Sequence, residues 1–177
     1  PGQLIRVDID PRQLTRNIRA DIPIVSDARL ALAALNEALS SHTMTDASGQ
    51  QRTAKLKASL RGERDEEYCA FFDAVREALP EVIIAGDSTQ PTYYAWLNYD
   101  TEAARRYFHS ASGFGTLGYA IPAAIGAKLG QPDAPVIGLI GDGAAQFTIG
   151  ELASAVEAEL PVIFLLWNNS GYGEIKR

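Results

Sequence analysis

Two apolar runs, residues 135–140 and 161–167, bracket the stretch that most constrains this chain: PVIGLIGDGAAQFTIGELASAVEAELPVIFLLWNNSGYGEIK. Each run has the length and β-branched content of a buried parallel strand. The first stops at Gly141-Asp142-Gly143 and the second at Asn168-Asn169. Between them, Ile149, Leu152, Ala153 and Val156 recur at helical spacing, which predicts a helix from about 148 to 158 with those four on one face. Strand, helix and strand in this order make a crossover unit whose two strands are parallel and end on the same edge of the sheet. Asp142 and Asn169, 27 positions apart (169 − 142), are therefore expected together at that edge, where open α/β sheets bind ligands.

The residue types at that edge suit one kind of ligand. Asp142 offers a hard anionic oxygen, Asn169 a neutral amide oxygen, and the Ser170-Gly171 turn a backbone carbonyl. A low-charge set of oxygen donors fits Mg²⁺, which commonly shares its sphere with substrate phosphates and water. Free N–H groups at the helix start after Gly143 would complement a phosphate. A metal-bridged diphosphate is the expected occupant.

GDG, one strand–helix–strand length and then NN resembles the thiamine-diphosphate binding motif of the acetolactate synthase and 2-oxoacid decarboxylase superfamily. Residues 112–130, SGFGTLGYAIPAAIGAKLG, are similar to a second motif of that family, G-x-x-G-[FY]-x-[LI]-P-A-A-I-G-A. The resemblance implies a doubly wound α/β fold, a mainly parallel sheet with helices on both faces. It further implies that Leu117 supports the bent cofactor and that the Gly115 carbonyl accepts from the pyrimidine amine. Thr89 and Gln90, in the turn after an expected strand at 81–85, take the positions that bind the diphosphate. Gly141, Asp142, Gly143, Ala144, Asn169 and Tyr172 make up the rest of the implied cofactor site, with Mg²⁺ held by Asp142, Asn169 and the Gly171 carbonyl.

The same resemblance implies partners. Family members use a glutamate from a separate pyrimidine-binding domain, supplied by a second subunit of a homodimer or tetramer. No position of this chain can be assigned that glutamate, so the catalytic residues stay unassigned. Residues 1–40 are expected to be the tail of a middle domain, 41–64 a polar linker with a helix at 53–60, and 65–177 an incomplete diphosphate-binding domain. The expected isolated chain is inactive. The expected function is that of a thiamine-diphosphate enzyme acting on a small 2-oxoacid, with decarboxylation or acetolactate-synthase-like carboligation as outcomes. The alternatives are a decarboxylase for a guanidino 2-oxoacid and a catalytically silent module of the same fold. A nucleotide-binding domain is disfavoured by the lack of a G-x-x-x-x-G-K-[ST] loop.

Composition narrows the partners. The net charge of −6 and the absence of any Lys/Arg run argue against nucleic acid. A single Cys69 excludes an internal disulfide and suits a reducing cytoplasm. His42 and His109 supply no metal-ligand spacing, and no stretch is apolar enough to span a bilayer. Asp8 and Asp10 read as strand and turn residues rather than ligands. Residues 26–39 predict an amphipathic helix capped by Ser26 or Asp27, with Leu30, Leu32, Leu35 and Leu39 apolar. Residues 67–79 predict a second, burying Phe71, Phe72, Val75 and Leu79. The aromatic stretch from Tyr93 through Trp96 to Tyr99, with Tyr107 and Phe108, is expected in core or interface. After Asn169, Ile175 stands where pyruvate-type decarboxylases place an acid. Ile175 and Tyr172 are expected to wall the reacting centre, with Glu174 either solvent-facing or paired to a cationic substrate.

Overall fold

The computed structural model describes residues 2–42, 49–61, 66–101, 103–173 and 175–176. They fall into two compact units, Pro1–Ala54 and Lys55–Arg177.

In the first unit, β1 (Ile5–Asp8) pairs in parallel with β2 (Ile22–Val25), Ile5 opposite Ile22 and Asp8 opposite Val25. A 3₁₀ turn, Pro11–Thr15, connects them. Asp10 caps it by accepting from the Arg12 amide at 3.0 Å, and Asp8 Oδ1 accepts from the Asp10 amide at 2.9 Å. Both acids are thus engaged in the turn, in line with the sequence reading. The Arg6 guanidinium gathers the connection by donating to the carbonyls of Gln13 (3.0 Å) and Arg16 (2.8 Å). β2 was not expected, because four residues in a Pro-containing segment carry little periodic signal. Helix α1 (Ala28–Ala38) begins at Asp27, whose Oδ1 accepts from the Arg29 and Leu30 amides. Its Leu30, Leu32 and Leu35, with Leu39 just past its end, are all exposed in this chain. Helix α2 (Gly49–Arg61), within which the first unit ends and the second begins, is longer than the 53–60 expected.

The second unit holds the remaining elements. They are α3 (Glu66–Ala78), β3 (Ile83–Gly86), α4 (Gln90–Asn98), β4 (Tyr107–His109), α5 (Ala120–Gly130), β5 (Val136–Gly141), α6 (Asp142–Thr148), α7 (Leu152–Glu157) and β6 (Ile163–Trp167). Their four strands form one parallel sheet in the order β4-β3-β5-β6. Side chains of the buried strand β5 alternate between two layers. Ile137 and Leu139 pack with Phe72 of α3 and Ala95 of α4. Val136 and Ile140 face the other way, toward Ala124 and the isoleucines of α5. Helices therefore cover both faces, and the α/β architecture is as the sequence indicated.

After β3 the chain crosses to β4 on one side; after β4 it returns to β5 on the other. The strand order reverses between β3 and β5, so the connections leaving their carboxyl ends diverge and open a crevice there.

One expectation is corrected. The helix after β5 starts at Asp142, not near 148, and is interrupted by a 3₁₀ segment at Ile149–Glu151. Its buried residues are Ala144, Ala145 and Ala155. Ile149, Leu152, Ala153 and Val156, expected on one face of that helix, are exposed, Val156 by 78%. The alanines of α6 and α7 pack instead in one cluster with Ile121 and Ile125 of α5.

Candidate functional site

The crevice at the ends of β3 and β5 is an open cleft of about 240 Å³. Its lining includes Thr89, Gln90, Gly115, Leu117, Gly141, Asp142, Gly143, Ala144, Asn169, Gly171 and Tyr172. Every residue singled out from the sequence as a cofactor or metal contact is in this set. Ser88, Tyr93, Gly173 and Ile175 also line it.

Register explains the meeting of Asp142 and Asn169. Gly141, the last residue of β5, pairs with Trp167, the last of β6. The next residues of each strand leave the sheet side by side. Asn168 then shapes the turn: its Oδ1 accepts from the Ser170 amide at 2.8 Å, and Ser170 adopts φ of 59°. A serine held in the left-handed region is strained, and such strain concentrates at functional turns. Gly173 lies close in: a Cβ there would be 2.5 Å from Asn169 Nδ2 and 3.3 Å from Gln90 Nε2. Gln90 is oriented in turn by the Tyr68 hydroxyl, which donates to its Oε1 at 3.3 Å.

Gly143 sits in the first turn of α6, where backbone N–H groups are unpaired and the helix dipole favours an anion. The Tyr172 ring lies over it, and a Cβ on residue 143 would come within 2.7 Å of that ring. Thr89 ends the connection from β3 as the residue preceding α4, and its side chain makes no cap hydrogen bond to that helix. Lys176 reaches the same region, its Nζ 3.0 Å from where a Cβ on Gly171 would sit.

The opposite wall is the loop before α5. Gly115 and Gly118 adopt φ of 67° and 82°, a backbone that side chains resist. The Gly115 carbonyl accepts from Ser88 Oγ at 3.0 Å, and the Gly118 carbonyl accepts from Thr148 Oγ1 at 2.9 Å. Asp87, fully buried, accepts from the Ser88 and Gly118 amides on Oδ1 (2.9 and 3.2 Å) and from the Ala120 amide on Oδ2 (2.8 Å). Burial raises its pKa and the amide hydrogen bonds oppose that rise.

The donor set fits a hard divalent cation with a diphosphate. One carboxylate, one amide oxygen and one backbone carbonyl border the cleft, beside a glycine-cleared helix start. No group of three or more His, Cys, Asp or Glu among the described residues could hold a metal by itself, so a cation here would draw further ligands from a bound anion and water. Glu174, named from the sequence for a cationic substrate, lies outside the described residues. Ile175 lines the cleft and is largely exposed. Of the aromatic residues expected in core or interface, Tyr94 and Tyr107 are partly buried and Trp96 is exposed.

Ser88 stands beside Thr89 and Gly173 beside Tyr172, so adjacency to the assigned residues was the available signal for both. Asp87 gave none, because its partners lie some thirty positions ahead.

Comparison with known proteins agrees with this geometry. The family model described as "Thiamine pyrophosphate enzyme, C-terminal TPP binding domain" matches residues 87–177. A probable 2-ketoarginine decarboxylase of Pseudomonas aeruginosa is 38% identical over 180 residues, covering 99% of this chain and 32% of the relative. The acetolactate synthase isozyme 3 large subunit of Escherichia coli is 32% identical, covering 98% of this chain and 32% of that protein. Among solved structures, a thiamine diphosphate-dependent 4-hydroxybenzoylformate decarboxylase of Rhodococcus jostii RHA1 superposes with a TM-score of 0.70 at 28% identity. That match covers 99% of this chain and 34% of the other. The chain thus spans about a third of the length of the curated relatives it matches.

Proposed function

Because this chain belongs to the thiamine pyrophosphate enzymes and carries their C-terminal cofactor-binding domain, we propose that its cleft holds thiamine diphosphate through Mg²⁺ in an enzyme acting on a small 2-oxoacid. The observation that carries the reading is the convergence of Asp142, Asn169 and Gly171 with Gln90, Gly115 and Leu117 around one cleft at the strand-order reversal. Asp142, Asn169 Oδ1 and the Gly171 carbonyl hold the metal. The first amides of α6 at Gly143 and Ala144, with Thr89 and Gln90, take the diphosphate oxygens. Leu117 and the Gly115 carbonyl position the organic half of the cofactor, and Tyr172 closes the diphosphate end against water. When bound, the cofactor supplies the electron sink for decarboxylating a 2-oxoacid. A second subunit supplies the pyrimidine-binding domain and its acid, which makes the assembly a homodimer or tetramer. The lone Cys69 agrees with a cytoplasmic setting, and among the described residues no helix is long and apolar enough to cross a membrane.

A specific observation favours a second reading of the substrate. The relative named as a probable 2-ketoarginine decarboxylase is 38% identical, against 32% for the acetolactate synthase subunit. A guanidino 2-oxoacid is therefore the first substrate to offer. The test is to supply the intact protein with thiamine diphosphate, Mg²⁺ and either pyruvate or a guanidino 2-oxoacid, measuring CO₂ and the organic product. CO₂ and an aldehyde from the guanidino acid support decarboxylation; acetolactate from pyruvate supports carboligation. Turnover of neither, or turnover independent of thiamine diphosphate, contradicts the function.

A further inference from the structure

We propose that Asp87 is a positioning residue, whose buried carboxylate, together with the Ser88 hydroxyl, fixes the loop that presents Gly115 and Leu117 to the cleft; this assignment rests on the thiamine-diphosphate reading for the identity of the ligand. An isolated buried carboxylate is costly unless its oxygens are hydrogen-bonded. Asp87 is 0% exposed, and the amides of Ser88, Gly118 and Ala120 donate to it. Two of those amides lie at the entry to α5. Tyr119, the residue preceding that helix, makes no side-chain cap bond of its own. Asp87 supplies the missing cap from the end of a different strand and complements the positive end of the helix.

Ser88 extends the same clamp. Its Oγ donates to the Gly115 carbonyl at 3.0 Å and lies 2.8 Å from Ser110 Oγ. A carbonyl can only accept, so the single Ser88 proton goes to Gly115 and Ser110 donates to Ser88. The direction of the chain Ser110 to Ser88 to Gly115 is thereby set. With Thr148 Oγ1 on the Gly118 carbonyl, the loop is fastened at residues 115, 118 and 120. The hydrogen bonds of the Asp87 carboxylate beyond its own neighbour all go to this wall. The other wall, with Asp142, Gly143, Asn169 and Gly171, receives none of them.

That asymmetry sets the test. In Asp87→Asn the amide NH₂ must face at least one backbone N–H, so one anchor is lost whichever way the amide turns. Binding of thiamine diphosphate and of inorganic pyrophosphate, each with Mg²⁺, is measured by calorimetry on the intact wild type and on the variant. Thiamine diphosphate is expected to weaken at least about tenfold, and pyrophosphate by less than about twofold. Equal weakening of both ligands, or of neither, overturns the positioning role. A wild type that binds neither ligand overturns the cofactor reading itself, and this assignment with it. If Asp87→Asn does not fold, Ser88→Ala carries the same comparison, with a loss of roughly threefold or more expected for thiamine diphosphate alone. Losses equal for both ligands, or absent for both, would again overturn the proposal.

Discussion

The ring of Tyr172 lies against Gly143 so closely that a Cβ at residue 143 would stand 2.7 Å from Cε1 and 3.0 Å from Cδ1. The ring is partly exposed and can swing outward, so Gly143→Ala is expected to leave folding stability within about 0.5 kcal/mol. The added methyl and the displaced ring instead obstruct the approach of an anion to the start of α6. Thiamine diphosphate affinity is expected to fall about tenfold or more. Calorimetry on the intact protein beside a denaturant melt separates the two effects; a large loss of stability with unchanged affinity would contradict this view of the contact.

Gly118 carries a different constraint. Its φ of 82° disfavours any side chain, and a Cβ there would be 2.8 Å from the Cβ of Phe147. Gly118→Ala is expected to destabilise the protein by about 1–3 kcal/mol, from backbone strain and overpacking together. Urea unfolding measures it, and a neutral result would mean that the loop has a second comfortable conformation.

Asp87 gives a pH dependence with a definite sign. Burial raises its pKa above the ordinary value of 3.8. Between that value and the raised one, the native state binds more protons than the unfolded state. This group's contribution to stability is therefore fully present below 3.8 and is lost as pH rises through the folded value. Asp87→Asn cannot ionise. The stability of wild type relative to Asp87→Asn is expected to increase as pH falls from about 7 to about 4. Paired denaturant melts along that range check it; a difference that is flat or shrinks toward acid would contradict the direction.

The parts of the site legible in the sequence are those set by local chemistry. Gly141-Asp142-Gly143 and Asn168-Asn169 each follow an apolar run directly, so their place at a strand end needs no knowledge of tertiary contacts. Gly115 and Gly118 mark a loop that their own φ values then require. The phase of the helix after β5 was not legible, because which face is buried depends on Ile121 and Ile125 arriving from α5. Short strands β2 and β4 escaped for want of periodicity. Asp87 escaped because a buried acid is recognised by the amides that reach it, and those belong to residues 118 and 120.

The proposed cofactor site depends on Asp142 anchoring a metal-bridged diphosphate in this cleft. Titration of the intact protein with thiamine diphosphate, with Mg²⁺ and with chelator, in wild type and in Asp142→Ala, tests it most directly. Wild type is expected to bind in a Mg²⁺-dependent manner and to lose roughly a hundredfold, about 2.7 kcal/mol, when either the metal or the Asp142 carboxylate is removed. Asp142→Ala binding with wild-type affinity and an unchanged dependence on Mg²⁺ would contradict it.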